Sequence, residues 1–258
     1  MKISRRKFIS GTSAGVAGVC SLGYSPLNLA MSDVRVNDDI SPGAFNYGVA
    51  SGDPRQDRVI LWTHFQPDVV MPVTVHWQVA LDENMTDVVS SGTFVTHASR
   101  DYTVKVDVTG LSPATTYFYQ FRVDNVTSPT GRTRTAPEGD IDQARFAVVS
   151  CSSYAHGYFN VYRALAGRDD LDAILHLGDY LYEYAQDAYG EASLRGERGL
   201  APAHEIVSLS DYRRRHALYK LDDDLQAVHR RHPFITVWDD HEFANDAWLN
   251  GAENHDDS

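Results

Sequence analysis

The sequence predicts two regions in series, an antiparallel β-sandwich followed by an α/β region. Three observations support this prediction. Between Asn46 and about Pro137, apolar and polar residues alternate with period two, and turn residues separate the runs. After Ala144 the apolar runs become continuous and alternate with helical spacing, which is typical of a parallel sheet buried on both faces. Finally, 43% apolar and 22% charged residues is a globular composition.

The sandwich is assigned to residues 40–137. Alternation is clearest over residues 73–79, 104–108 and 117–123, and turn residues such as Gly110 separate the runs. Residues 111–117 read Leu-Ser-Pro-Ala-Thr-Thr-Tyr and resemble the end of a fibronectin type III-like module. We assign no chemistry to this region, since its residues read as core or edge positions. A linker is expected at residues 138–145.

The α/β region is assigned to residues 146–258. Apolar strands are predicted over residues 146–150, 171–177 and 234–238. Helical spacing covers residues 158–166 and continues from a cap at Ser210 or Asp211 to about residue 220. A third helical stretch, residues 225–232, stops at Pro233. Strands alternating with helices predict a mainly parallel sheet.

The N-terminus has the charge pattern of an export signal. Its first thirty residues hold Lys2, Arg5, Arg6 and Lys7 and no acid, and a weakly apolar stretch follows. Residues 4–9, Ser-Arg-Arg-Lys-Phe-Ile, resemble the twin-arginine signal. That resemblance implies recognition by the twin-arginine export machinery and a periplasmic or secreted location. We assign residues 1–31 to the signal, which is too short in its apolar part for a stable membrane anchor.

The net charge argues against one class of partner, and the cysteine count limits the roles of Cys151. The net charge is −12, and removing the four basic residues of the signal leaves 19 basic against 35 acidic residues, about −16. Nucleic-acid regulators need a basic face, so we expect no such partner. Cys20 leaves with the signal, so Cys151 has no internal disulfide partner. It is a buried small side chain, an intermolecular linker, a metal ligand or a reactive thiol.

Each predicted strand of the α/β region runs into residues that can bind a cation. Ligands of open α/β sheets bind outside the carboxyl ends of the strands, so these residues are expected to converge. Unpaired acids at neighbouring strand ends favour cations that neutralise them. The candidates are Cys151 after the first strand, Asp179 and Tyr182 after the second, and Asp239, Asp240 and His241 after the third.

Two of these strand ends carry a resemblance to a known family. Residues 177–183, Leu-Gly-Asp-Tyr-Leu-Tyr-Glu, and residues 238–242, Trp-Asp-Asp-His-Glu, resemble the metal motifs of the alkaline phosphatase D (PhoD-like) family. This family is a branch of the calcineurin-like metallophosphoesterases, and Ser-Cys-Ser at residues 150–152 matches it too. The resemblance covers essentially the whole chain. It implies that residues 146–258 are the first half of an α/β metallophosphoesterase domain, and that the chain is an N-terminal fragment.

The resemblance also implies roles for the first two strand ends. Asp179 would bridge two metal sites, since one carboxylate can span two ions. Tyr182 resembles the tyrosinate that binds ferric iron in purple acid phosphatases. Cys151 stands at the place of the first ligand, and a thiolate there suits iron better than Ca²⁺ or Mg²⁺.

The third strand end would complete the site. Asp240 would bind a second, harder metal, for which the family implies Ca²⁺. Asp239 would share that role or support a ligand. His241 would face the substrate and stabilise phosphoryl oxygens or protonate the leaving group. The implied activity is a phosphoric ester hydrolase, an alkaline phosphatase or phosphodiesterase that uses a metal-bound hydroxide and acts as a monomer.

Two alternatives stay open. A secreted β-domain binding protein could carry an inactive phosphoesterase remnant, or the enzyme could be a phospholipase D-type phosphodiesterase acting on lipid rather than small-molecule phosphate esters. The sequence does not distinguish monoesters from diesters. A half-domain is expected to expose apolar sheet surface. The histidines outside the motifs, His216, His229 and His232, are interpreted as surface or satisfied residues.

Overall fold

The computed structural model describes residues 40–253, so the predicted signal and Cys20 lie outside the described residues. Over this range eleven strands form two sheets. The strands are β1 (Val49–Gly52), β2 (Arg58–His64), β3 (Val73–Ala80), β4 (Val88–Thr96), β5 (Thr103–Thr109), β6 (Thr116–Val123), β7 (Val126–Thr127), β8 (Gly131–Arg134), β9 (Phe146–Val149), β10 (Ala173–His176) and β11 (Pro233–Thr236).

The first sheet joins strands from both predicted regions. Its order is β5-β2-β1-β11-β10-β9. The pairs β5–β2 and β2–β1 are antiparallel, whereas β1–β11, β11–β10 and β10–β9 are parallel. Ser51 of β1 aligns with Pro233 of β11. The predicted linker therefore does not separate two independent sheets.

The second sheet is antiparallel and packs against the N-terminal half of the first. Its order is β4-β3-β6-β7, with β8 also paired to β6. The alternating apolar residues of β2 and β5 meet those of β3 and β6 in one cluster, which includes Leu61, Val104, Val75 and Phe121, all fully buried. The period-two pattern is thus explained by one buried face on each sheet.

Three helices cover one face of the parallel strands. They are α1 (Asn160–Ala166), α2 (Leu209–Lys220) and α3 (Asp223–Arg231). Helix α2 starts two to three residues earlier than predicted, because Ser208 and Asp211 form a capping box: each side chain accepts from the other residue's amide, at 3.2 and 2.9 Å. Ile174 and Phe234 of the sheet pack under these helices in a second core.

The opposite face of the parallel strands is open within the described residues. Phe146, Val148, Ile235 and Val237 are 40–60% exposed there. The expectation that a half-domain exposes apolar sheet surface is therefore confirmed for these strands. Burial on both faces is not found within residues 40–253, because α1, α2 and α3 all lie on one side. No helix in this range is long and apolar enough to cross a membrane.

Candidate metal centre

The candidate site lies where β9, β10 and β11 end. His176 of β10 aligns with Val149 of β9 and Thr236 of β11, so the three parallel strands finish at the same level. The loops that follow them carry Cys151, Asp179 and Asp240. Parallel pairing in register is therefore what brings residues far apart in the chain to one sheet edge.

The loops after β9 and β10 contain residues with positive φ angles. Cys151 and Asp179 adopt left-handed φ values of 58° and 55°, and Gly178 has a φ of 102°. The Cys151 amide donates to the Gly178 carbonyl at 3.2 Å, and the Ser152 amide donates to the Asp179 carbonyl at 2.8 Å. A Cβ at Gly178 would lie 2.4 Å from the Asp239 amide nitrogen, so only glycine lets these loops approach so closely.

Three side chains converge tightly at this edge. One ligand atom each from Asp179, Asp240 and His241 lies within 4.8 Å of the others. Asp179 Oδ1 is buried and has no hydrogen-bond partner among the described residues. A buried carboxylate oxygen without a partner is costly, and a bound cation would remove that cost. The donor set of this cluster therefore fits a metal ion.

The other oxygen of Asp179 contacts the Tyr182 hydroxyl and the Cys151 thiol. Asp179 Oδ2 accepts from the Tyr182 hydroxyl at 3.2 Å and from the Cys151 thiol at 3.5 Å. Burial, together with the negative charge of Asp179, raises the pKa of Tyr182. A cation nearby would act in the opposite direction by favouring the phenolate. The phenol and the thiol thus lie beside the cluster, both in contact with Asp179.

A buried carboxylate holds His241. Glu183 is fully buried, its Oε2 lies 3.0 Å from His241 Nδ1, and its Oε1 accepts from the Asn245 amide at 2.6 Å. An ionised Glu183 makes Nδ1 the protonated nitrogen, which leaves Nε2 with a lone pair. The Tyr182 ring packs on the imidazole, with ring centroids 4.2 Å apart. The histidine is therefore fixed both in orientation and in tautomer.

A second carboxylate fixes the backbone of the site. Glu242 accepts from the amides of Asp179, Tyr180 and Asp239, at 3.1, 2.5 and 2.8 Å. These contacts join the loop after β10 to the loop after β11. The exposed Asp239 takes part through its amide, and the cluster of possible ligands among the described residues does not contain its carboxylate.

The structure therefore brings together most of the predicted residues and adds two. Asp179, Asp240 and His241 cluster, and Cys151 and Tyr182 touch Asp179, whereas Asp239 stays outside. Sequence reasoning assigned no role to Glu183 or Glu242. Both lie inside the quoted motifs, one residue from a predicted site residue, but no sequence pattern distinguishes a buried acid there from a solvated one.

Two other expectations need correction. Cys151, for which burial is the commonest state, is exposed at the strand end. His229 and His232 are not surface residues, since they are 6% and 0% exposed. Each is only partly satisfied: one ring nitrogen bonds to Tyr180 or to the Leu165 carbonyl, and Nδ1 is buried without a partner in the described part of the chain. The Arg-rich sequence around these histidines suggests a solvent-exposed helix face. In the structure helix α3 packs this part of its surface on the sheet, so the histidines are buried.

The fold and the site together define an α/β protein with a candidate metal centre at the carboxyl ends of its parallel strands. Comparison with known proteins gives the family. Residues 146–258 match the PhoD-like phosphatase family, and residues 30–137 match the PhoD-like phosphatase N-terminal domain. The chain belongs to the PhoD-like phosphatase family.

Two relatives show how much of the family's length is present. Alkaline phosphatase D of Bacillus subtilis (strain 168) is 41% identical over 254 residues, which cover 93% of this chain and 42% of that protein. A solved structure described as the structure of PhoD is 39% identical, has a TM-score of 0.73, and is matched over 78% of this chain and 40% of its own. The chain spans about two fifths of the length of these relatives.

Proposed function

We propose that this chain forms part of an exported, metal-dependent phosphoric ester hydrolase, an alkaline phosphatase or phosphodiesterase. The observation that carries the proposal is the unpartnered, buried Asp179 Oδ1 inside a cluster with Asp240 and His241. Family membership supports the reaction class, since the B. subtilis relative is named as an alkaline phosphatase. Bound cations would activate water and neutralise negative charge on the phosphoryl oxygens.

The residues of the cluster divide by ligand chemistry. Asp179 has two oxygens and is the proposed bridging ligand. Cys151 and Tyr182 contact one of these oxygens and supply the thiolate and phenolate that suit Fe³⁺. Asp240 supplies a hard oxygen ligand that suits Ca²⁺. The unclustered Asp239 is a weaker candidate for either ion.

His241 is the proposed group for proton transfer or for holding a phosphoryl oxygen. Glu183 engages Nδ1, so Nε2 is the nitrogen left to act on substrate or metal. Full burial of Glu183 keeps water from competing for this contact. The imidazole can therefore hold a proton at Nε2 without rotating away from the cluster.

We further infer the finer architecture and cellular setting. Residues 40–137 would form a fibronectin III/Ig-like sandwich, and residues 146–258 the first half of a metallophosphoesterase domain. The twin-arginine-like residues 4–9 support export through the twin-arginine machinery to the periplasm or medium. Small-molecule or lipid phosphate esters are the proposed substrates, and a monomer is the proposed state.

Substitution of Asp179 tests the proposal. In the full-length protein, Asp179→Asn should lose bound iron and calcium, measured by mass spectrometry after equilibration, and should lose hydrolysis of p-nitrophenyl phosphate and bis-p-nitrophenyl phosphate. Asp187→Asn is the matched control, since Asp187 lies at the surface with a side chain 85% exposed. Metal content equal to that of the unchanged chain in Asp179→Asn would remove the basis of the proposal.

Tyr182 gives a spectroscopic test. Tyr182→Phe should remove the phenolate-to-Fe³⁺ band from the visible spectrum of the iron-loaded protein and leave any band that arises from the Cys151 thiolate. An unchanged spectrum would show that the phenol is not a ligand. The activity is proposed for the full-length protein, of which this chain would be an N-terminal fragment. A full-length protein that folds, binds metal and hydrolyses neither ester would favour the inactive-remnant alternative.

A further inference from the structure

A large cavity lies behind the metal centre. Its volume is about 1210 Å³, and it opens between helix α2, strands β1 and β2, and the end of β11. Aromatic side chains supply much of its wall, among them Trp62, Tyr180 and Tyr212. None of Cys151, Asp179, Tyr182, Asp240 and His241 lines it. The cavity is therefore separate from the candidate metal centre. Tyr180 and Glu242 are shared: both line the cavity, and Glu242 accepts hydrogen bonds from the backbone amides of the metal-centre loops, including that of Tyr180.

A lysine without an acidic partner lies in this cavity. The Lys220 ammonium is 5.2 Å from the centroid of the Trp62 ring and 5.2 Å from that of the Tyr180 ring. Within residues 40–253, no hydrogen bond or ion pair involves this ammonium. The two rings attract the cation but accept none of its N–H groups in the way an oxygen would.

The acids of the cavity are already engaged. Glu242 accepts from three backbone amides. Burial raises the pKa of Asp101, and the nearby Arg213 guanidinium opposes that shift. Arg213 also donates to the Ser99 carbonyl at 2.7 Å. The cavity wall therefore carries three basic side chains, Arg100, Arg213 and Lys220, against two acidic ones. Burial lowers the pKa of Lys220 to about 7, and an anion bound beside it would favour the protonated amine.

The surrounding histidines do not change this balance near neutral pH. Burial lowers the pKa of His64 and His176 to about 4 and that of His229 well below its usual value. They are therefore neutral. His64 and His229 each keep a buried Nδ1 without a partner among the described residues, so the protein itself leaves polar groups of this cavity unsatisfied.

We propose that this cavity binds an organic anion with an aromatic body, whose acid group pairs with Lys220 and whose ring packs against Trp62 and Tyr180. Size supports this, since pockets of about 300–1,000 Å³ hold small organic ligands and this cavity is at least as large. The chemistry also matches, because a largely apolar wall with a few polar groups orients a ligand by its ionic end, and Lys220 is the cation that lies against two aromatic rings. The site does not depend on the proposed hydrolase activity.

Calorimetric titration of the metal-free chain with three probes tests this inference. The probes are 2-naphthoate, the uncharged 2-naphthalenemethanol of the same body, and inorganic phosphate, which has charge without a ring. Naphthoate should bind at least about tenfold more tightly than the alcohol, the smallest effect expected of a hydrogen-bonded charge. Phosphate alone should bind more weakly than naphthoate.

Two lysines allow a matched comparison. Lys220→Met should remove the preference for naphthoate over the alcohol, whereas Lys105→Met should keep it, because Lys105 lies on β5 outside the cavity wall. Ala217→Leu puts a larger side chain of α2 into the cavity and so reduces the space left for a ligand; leucine is compatible with the helix. This variant should bind both aromatic probes more weakly. Circular dichroism of each variant confirms folding.

The inference is overturned if naphthoate and the alcohol bind equally, or if Lys105→Met weakens naphthoate as much as Lys220→Met does. Binding that neither Lys220→Met nor Ala217→Leu alters would place the probe on the exposed sheet face, which also refutes the assignment. Since the chain is metal-free in this experiment, failure here leaves the metal-content test of the proposed function untouched.

Discussion

The contact between Glu183 and His241 gives the sharpest test of the candidate centre. In Glu183→Gln the amide oxygen can still accept from the Asn245 amide, but the amide NH₂ faces His241 Nδ1. Nδ1 must then accept, and the ring proton moves to Nε2, the nitrogen left for a metal. The hydrogen bond is kept but loses its charged partner, and the nitrogen that faces the metal loses its lone pair; hydrogen bonds to charged groups contribute about 1.5–3 kcal/mol. Supporting residues of metal ligands typically contribute about 10–100-fold in affinity, a range of about 1.4–2.8 kcal/mol that agrees with it.

We therefore expect Glu183→Gln to bind Zn²⁺ about 10–100-fold more weakly, with little change in folding stability because the side chains have the same shape. Zn²⁺ is a suitable probe because it accepts nitrogen, sulfur and oxygen ligands. Calorimetric titration measures the affinity, and urea unfolding of the metal-free chain measures the stability. Glu197→Gln, on an exposed glutamate, is the control. Equal zinc affinity in the Glu183 variant and the unchanged chain would refute the positioning role.

Three further predictions concern stability. Gly178→Ala should destabilise the chain by about 3 kcal/mol, through backbone strain and the clash with Asp239. Gly110→Ala is the control and should cost less, because Gly110 has a φ of 78° but no atom within 4 Å of the added Cβ. Urea unfolding measures both free energies. Arg215→Met should cost at least about 3 kcal/mol by the same assay, because the fully buried guanidinium donates to several loop carbonyls that would lose their partner. Burial lowers the pKa of His64 to about 4, so between pH 4 and 6.5 the unfolded chain binds more protons than the folded chain. The free energy of unfolding should therefore fall as pH drops through this window. His64→Phe should make this dependence on pH less steep.

The strand ends were predictable from sequence for a local reason. Each strand is a short apolar run that stops at a chemically different residue, such as Cys151 or Asp179, and parallel strands place such residues at one edge. The alternation in residues 46–137 likewise reports a buried face directly. Both signals depend only on neighbours in the chain.

What could not be predicted depends on contacts between distant residues. Ser51 and Pro233 align in neighbouring strands, yet nothing in either segment specifies the other as its partner. The burial of Glu183 depends on the Asn245 amide, 62 residues away. Asp239 donates its amide to Glu242, and its carboxylate is not in the cluster with Asp179, Asp240 and His241. Such outcomes require the three-dimensional register.

The pairing of β1 with β11 has a consequence for folding. A strand from the first quarter of the chain is hydrogen-bonded on one edge to β2 and on the other to a strand more than 180 residues later. Cleavage within residues 138–145 would therefore leave two pieces still associated through a shared sheet, and neither piece alone would keep all its strand neighbours. Denaturation should accordingly proceed as one cooperative transition rather than two.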